Sequence, residues 1–232
     1  MMSPLILLPG MMCDARLYGP QIEALSGHYS LNLIPITNHS SIQQLAAEVI
    51  AQAPDRFGIA GLSMGGIVAM EVFAQVPDRI ERIALLDTNP NAETEVKKND
   101  REPQISRVLK GELENVMRED IMPKYLVADP QRNEILDLCL DMALNLGKTV
   151  FERQSHALKN RPDQSLNLRR IKVPTLILCG QEDQLCPLEQ HQMMHDLIKN
   201  SRLEIVQEAG HLPTLEQPAK TTEALLRWLR ES

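Results

Sequence analysis

The chain has 232 residues, of which 43% are hydrophobic and 24% are charged, and its formal net charge is −7. This length predicts one large domain rather than two complete ones. The acidic balance argues against a nucleic-acid or anionic-membrane partner, because both attract clustered Lys and Arg. No targeting or membrane-spanning segment is evident, and the four cysteines lack metal-ligand spacing. We therefore expect a cytoplasmic protein with reduced thiols, no metal and no cofactor.

Apolar runs of strand length alternate with helical patterns along most of the chain, which is typical of βαβ units and a parallel sheet. The predicted strands, in chain order, are Leu5 to Leu8, Leu31 to Ile36, Phe57 to Gly61, Ile80 to Leu86, Thr175 to Cys179 and Leu203 to Val206. The predicted helices between and after them are Asp14 to Ser26, Ser40 to Ala51, Ser63 to Val76, Pro187 to Ile198 and Pro218 to Arg230. The pattern predicts an α/β fold with a mainly parallel sheet of about six strands.

This alternation stops after the fourth strand. From residue 88 to residue 170 only helical patterns are evident, at Ile105 to Leu109, Asn133 to Leu146 and Thr149 to Leu158. We therefore predict a core made of residues 1–87 and 171–232 and a helical cap insertion made of residues 88–170.

The segment Gly61-Leu62-Ser63-Met64-Gly65 lies between a predicted strand and a predicted helix. A G-x-S-x-G in this setting is typical of a nucleophile elbow, in which the serine occupies a sharp turn at a helix N-terminus. The two glycines let the strand and the helix pass closely. The alternative is a glycine-rich turn whose serine only caps the helix.

A serine hydroxyl needs a neighbouring base, usually a histidine oriented by a carboxylate. Among the six histidines only His211 directly follows a predicted strand, where the catalytic groups of such sheets gather. Asp183 and Asp87 both follow predicted strands. We favour Asp183 as the acid, because it gives the chain order Ser, Asp, His. His191 and His195 have the i, i+4 spacing of a zinc-binding helix, but Gln192 replaces the glutamate base and no third ligand is evident nearby, so we expect two surface or half-buried histidines instead of a metal site.

An oxyanion hole requires two donors aimed at the developing negative oxygen. We predict the backbone N–H of Met64, next to the serine, and that of Met11, after the first strand. The methionine side chains are expected to line an apolar pocket or to fill the core. Five apolar residues of the insertion are further candidates for a pocket or for the core of the cap, namely Met117, Met122, Leu138, Met142 and Leu146. The scarcity of aromatic residues argues against an aromatic cage.

Together these segments resemble the α/β-hydrolase superfamily over nearly the whole chain. Gly61 to Gly65 is similar to its nucleophile elbow, Gly180 to Pro187 to its acid loop, and Gly210-His211 with Pro213, Glu216 and Pro218 to its histidine loop. Within the superfamily, the size and motifs resemble bacterial carboxylesterases of the pimeloyl-carrier-protein methyl ester esterase type. One departure is Pro9-Gly10, where many members have His-Gly. We also expect the first two antiparallel strands of the family to be absent, since the first predicted strand begins at Leu5.

The resemblance and the residues together predict a serine hydrolase that cleaves a small to medium carboxylic ester through an acyl-enzyme on Ser63, with Asp183 and His211 completing the triad. The partner is then a small-molecule ester. Two alternatives stay open. One is hydrolysis of a carbon–carbon bond in a β-diketone-type substrate, and the other is a ligand-binding receptor on the same fold.

Overall fold

The computed structural model of the protein describes residues 3–127 and 132–231. Its strands are β1 (Leu5–Leu8), β2 (Leu31–Leu33), β3 (Phe57–Leu62), β4 (Ile80–Leu86), β5 (Thr175–Gly180) and β6 (Ser201–Val206). They form a six-stranded sheet in the order β2-β1-β3-β4-β5-β6, and every neighbouring pair in it is parallel. The predicted fold class is confirmed.

The helices cover both faces of this sheet. They are α1 (Gly19–Leu25), α2 (Ile42–Gln52), α3 (Met64–Gln75), α4 (Glu95–Leu109), α5 (Leu113–Val116), α6 (Asn133–Lys159), α7 (Ser165–Leu168), α8 (Leu188–Leu197), α9 (Pro213–Glu216) and α10 (Pro218–Leu229). Successive residues of β1 point to opposite faces, so Leu5 and Leu7 join one buried cluster with α1 and α10, while Ile6 and Leu8 join another with α2 and α3. This three-layer arrangement directs the carboxyl ends of all six strands to one edge.

Two predicted elements differ from the observed ones because of prolines. The second strand ends at Leu33 instead of Ile36, since Pro35 has no N–H with which to continue the ladder. The first predicted helix is divided into a 3₁₀ turn over Ala15–Tyr18, capped by Asp14, and α1, in whose first turn Pro20 lies. Both corrections are local and leave the sheet order unchanged.

The segment between β4 and β5 is helical where it is described, as predicted. Gly147 has φ 77° and ψ 176°, so it interrupts α6 between the two helices that the sequence predicts there. In contrast, α4 begins at Glu95, ten residues before the predicted Ile105. The division into core and cap at residues 87/88 and 170/171 stays a prediction. No helix in the described ranges is long and apolar enough to cross a bilayer.

Candidate active site

Ser63 lies in the turn between β3 and α3, where its backbone has φ 54° and ψ −116°. A positive φ is strained for a residue with a side chain, so the surrounding structure must enforce it. A Cβ on Gly61 would overlap the carbonyl group of Gly65, and a Cβ on Gly65 would overlap the carbonyl oxygen of Leu8. The two glycines are therefore required by close backbone approach.

The imidazole of His211 contacts the carboxylate of Asp183. Nδ1 of His211 lies 2.8 Å from Oδ2 of Asp183, and both residues are buried. The other oxygen, Oδ1, accepts hydrogen bonds from the amides of Leu185 at 2.8 Å and Cys186 at 3.0 Å. Burial disfavours the charged carboxylate, but His211 and these two amides outweigh it, and the pKa of Asp183 lies below its ordinary value. Because a carboxylate only accepts, Nδ1 must carry the proton and Nε2 is left as a base.

Asp87 is the other acid considered from the sequence, and the structure places it differently. It is fully buried at the end of β4, and its Oδ1 accepts the amide of Gly180 at 2.8 Å. Its Oδ2 has no hydrogen-bond partner in the described chain. Burial, together with the charge of Asp183, raises the pKa of Asp87 well above its ordinary value. Of the two neighbouring carboxyl groups, Asp87 is therefore the one that holds its proton to the higher pH.

The two predicted oxyanion donors belong to the segments that follow β3 and β1, and a Cβ on Gly10 would lie 3.6 Å from the Cβ of Ser63. Met64 is the first residue of α3, where backbone N–H groups lack helical acceptors and the helix dipole favours negative charge. The loop that carries Met11 is closed by a hydrogen bond of 3.2 Å from the Cys13 amide to the Gly10 carbonyl oxygen. Buried Gln154, on α6, accepts the amide of Met12 at 2.8 Å and donates to the carbonyl oxygen of Ile36 at 2.9 Å. Gln154 supports this loop, in which Pro9 replaces the histidine of many α/β-hydrolases.

Two further residues that the sequence did not single out for this role hold the histidine loop. The amide of His211 donates to the carbonyl oxygen of Tyr125 at 2.7 Å, and the two rings are stacked with centroids 6.1 Å apart. Glu216 accepts the amides of Gly210 at 2.7 Å and Val127 at 2.9 Å. Tyr125 and Val127 belong to the insertion, so contacts between distant segments fix the position of the imidazole.

His191 is buried beneath the serine turn. Its Nε2 accepts the amide of Thr88 at 3.1 Å, and its Nδ1 lies 3.3 Å from the carbonyl oxygen of Pro187. Thr88 in turn donates its hydroxyl to the carbonyl oxygen of Ser63 at 2.7 Å. Burial lowers the pKa of His191 to about 4, so the ring is neutral and acts as a structural support. The expectation that His191 is a surface or half-buried residue is therefore wrong.

A cavity of about 190 Å³ opens over the serine. This is room for a small organic molecule, since engineered cavities of about 150 Å³ bind benzene. Ser63, Met11 and His211 line it, together with Tyr125 and other residues of the insertion. Five apolar candidates from the sequence, namely Met117, Met122, Leu138, Met142 and Leu146, pack within or against the buried core instead. Met64 and Met12 are also buried in the core, so of these methionine side chains Met11 alone is among the described residues that line the cavity.

Asp183, Cys186 and His211 form a group whose possible ligand atoms lie within 4.8 Å of one another. The carboxylate and the imidazole already bond to each other. Burial, followed by the charge of Asp183, raises the pKa of the Cys186 thiol to about 12, whereas metals bind the thiolate. The group therefore suits proton transfer better than metal binding.

Comparison with known proteins gives a consistent family assignment. Residues 53–218 match the sequence profile of the family described as alpha/beta hydrolase fold. The pimeloyl-[acyl-carrier protein] methyl ester esterases of Citrobacter koseri and Legionella pneumophila are each 23% identical to the chain, over 96% and 91% of it and 92% and 89% of their own lengths.

Solved structures give the same result for the fold. A thermophilic esterase from Thermogutta terrifontis, with malate bound, has a TM-score of 0.88 and 25% identity, covering 98% of this chain and 89% of its own. The enol-lactonase from Burkholderia xenovorans also has a TM-score of 0.88, with 23% identity and coverage of 99% and 92%.

Proposed function

The chain belongs to the α/β-hydrolase family, and from this premise we propose that it hydrolyses carboxylic esters through a covalent acyl-enzyme on Ser63. The observation that carries the proposal is the buried contact of 2.8 Å between Asp183 and His211, beside a cavity that Ser63 also lines. Esterase relatives and an esterase neighbour support the ester as substrate. Hydrolysis of a carbon–carbon bond and a pure binding role have no comparable support.

In the proposed mechanism, Nε2 of His211 accepts the proton of the Ser63 hydroxyl as the oxygen attacks the ester carbonyl. Asp183 keeps Nδ1 protonated and stabilises the imidazolium that forms. The amides of Met11 and Met64 stabilise the oxyanion, each contributing roughly 3 kcal/mol. His211 then protonates the departing alcohol and activates the water that hydrolyses the acyl-enzyme.

The test is covalent labelling of the folded protein with a fluorophosphonate, followed by peptide mapping. We expect rapid labelling of Ser63 and none in Ser63→Ala. Ser106→Ala is the matched control, because Ser106 is exposed on α4, away from the cavity. Absence of labelling in the folded wild-type protein would contradict the proposal.

A second measurement addresses the bond that is broken. Ethyl esters of acyl length two to ten carbons and a parallel set of β-diketones are offered to the wild type and to Ser63→Ala. We expect turnover of short and medium esters that is lost in the variant. Turnover of the diketones without turnover of the esters would favour the carbon–carbon hydrolase instead.

A further inference from the structure

One wall of the cavity contains buried charges that ester hydrolysis does not require. Glu93 has 1% of its side chain exposed, and it contacts two guanidinium groups, those of Arg101 (15% exposed) and Arg161 (8% exposed). Its carboxylate oxygens lie 2.6 Å from Nη2 of Arg101 and 3.2 Å from Nη2 of Arg161. All three residues line the cavity over Ser63. We call these three residues the charged wall.

The charged wall has an excess of one positive charge, because both guanidinium groups stay ionised and share a single carboxylate. A buried charge without a partner is costly, and the cost falls when an anion binds beside it. Burial lowers the pKa of Arg161, and Glu93 opposes this change. The excess charge is therefore a property of the folded protein that an anionic ligand would compensate.

The nitrogen atoms of Arg101 indicate where such an anion would bind. Nε and Nη2 both donate to Oε2 of Glu93, at 3.1 and 2.6 Å. Nη1 contacts only the sulfur of Met11, at 4.0 Å, and donates to no oxygen of the described chain. This donor, which has no oxygen acceptor in the described chain, thus lies beside Met11, the residue whose amide is proposed to bind the oxyanion.

The charges at the mouth of the cavity do not cancel this excess. Two lysines and two aspartates are found there, namely Lys97, Lys124, Asp100 and Asp120. Asp120 accepts a hydrogen bond of 3.1 Å from Arg107, outside the cavity. The mouth is balanced in formal charge, so the excess is confined to the buried part of the wall.

We propose that the charged wall is a carboxylate subsite, in which Nη1 of Arg101 binds an ionised carboxylate that the ester substrate carries in addition to its ester group. The inference rests on the proposed function and narrows its substrate class to esters with a second, free carboxylate. Hydrolysis of a dicarboxylic monoester consumes one water, breaks the acyl carbon–oxygen bond, and releases the dicarboxylate and the alcohol.

The experiment compares esters that differ in the carboxylate. Monoethyl glutarate carries it on the acyl side and butanoyloxyacetate on the alcohol side. Ethyl pentanoate and ethyl butanoate are their uncharged counterparts, in which a methyl group replaces the carboxylate. We expect the wild type to prefer one charged ester over its counterpart by about tenfold or more in kcat/KM, the range of a hydrogen bond to a charged group. The preferred ester shows on which side of the carbonyl the subsite lies.

Arg101→Gln is the decisive variant. This substitution removes one cation and leaves Glu93 paired with Arg161. The buried charges are then balanced, and we expect the variant to fold. We expect kcat/KM for the charged ester to fall about tenfold to hundredfold, mainly through KM, and the values for the uncharged esters to change less than about threefold. Arg227→Gln makes the same change on α10, where neither Arg227 nor its partners Glu204 and Glu223 line the cavity, and it should leave both classes unchanged.

Binding of glutarate to Ser63→Ala, measured by calorimetry, separates this inference from the proposed function. Binding that is lost on adding Arg101→Gln supports the subsite even if no ester is turned over, a result that would contradict the hydrolase alone. Absence of glutarate binding, together with equal kcat/KM for charged and uncharged esters, would overturn the subsite while ester turnover still upheld the hydrolase. An equal fall for both ester classes in Arg101→Gln would also overturn it.

Discussion

The two sides of the cavity are built on different principles. One side, which we call the strand-end floor, is formed by Ser63 and His211, which line the cavity, together with Asp183, which contacts His211. These residues lie in the segments that follow β3, β5 and β6. Its groups are held by backbone hydrogen bonds and by close glycine contacts. The charged wall, in contrast, depends on ion pairs between side chains of the segment that joins β4 to β5. Because backbone contacts fix the floor, its groups keep the positions that a reaction requires. The side chains of the wall can instead be exchanged without moving the backbone, so the wall is suited to selecting the substrate.

The largest expected effect concerns the acid of the floor. Asp183→Asn should lower kcat by roughly 10³- to 10⁴-fold, because an amide in its place no longer holds the productive imidazole tautomer. Asp87→Asn is the matched variant and should keep kcat within about threefold, since Asp87 contacts the Gly180 amide and not the imidazole. Steady-state kinetics on a short ester measures both. Loss of activity in Asp87→Asn with retention in Asp183→Asn would reverse the assignment of the acid.

The next effect tests whether Gln154, on α6, supports the loop that carries Met11. Gln154→Met keeps the length of the side chain but removes the acceptor for the Met12 amide and the donor to Ile36. We expect kcat to fall about tenfold to hundredfold, somewhat less than for direct loss of an oxyanion donor. KM should change little, because the loop positions a group that acts in the transition state. A rise in KM without a fall in kcat would indicate that Gln154 acts in substrate binding instead.

The sequence was informative about the floor for a physical reason. Parallel strands are continuous apolar runs, and the polar residues that follow them gather at one edge, so Ser63, Asp183 and His211 could be grouped from their positions alone. Gly61 and Gly65 were correctly expected to allow close passage. Their proposed roles in catalysis stay predictions until the kinetics above are measured.

The wall was missed because its residues carry no local signal. The first eight residues of α4 are polar apart from Val96 and precede Pro103, so no apolar period marks them as helical. Arg101 lies in that stretch, and its contact with Glu93 becomes evident only in the folded chain. The contacts that Tyr125 and Gln154 make with the site were not predicted for the same reason, since each joins residues more than 80 positions apart in the sequence. Side-chain contacts between distant segments cannot be deduced from a local pattern.

His191, which supports the serine turn from below, is expected to make the free energy of unfolding depend on pH. The pKa of His191 is about 4 in the folded protein and about 6.5 when unfolded, so its neutral form stabilises the fold fully above pH 6.5. This contribution, about 3 kcal/mol, is lost as the pH falls from 6.5 to 4. The free energy of unfolding in urea should therefore decrease over this range, and His191→Gln should remove much of the decrease. His28→Gln, at an exposed loop position, should leave the decrease in place.

The smallest expected effect comes from Asp87, the buried carboxyl group whose neighbour is Asp183. Because the pKa of Asp87 is raised on folding, its contribution to stability is complete below its unfolded value and is lost as the pH rises through its folded value. Asn is neutral at every pH and can still accept the Gly180 amide. Asp87→Asn should therefore have a higher Tm than the wild type at alkaline pH, by about 2 °C or more, and the difference should shrink towards pH 4.

Thermal unfolding followed by circular dichroism between pH 4 and pH 9 measures this difference, with Asp137→Asn, at an exposed position of α6, as the control that should show none. A Tm difference that is constant with pH would mean that Asp87 does not change its protonation on folding. Asp183 would then lie beside a second negative charge, and the floor would need another way to keep that pair stable. A difference that grows with pH indicates instead that the fold keeps Asp87 protonated. Of the two carboxyl groups, Asp183 alone would then carry the negative charge that contacts His211.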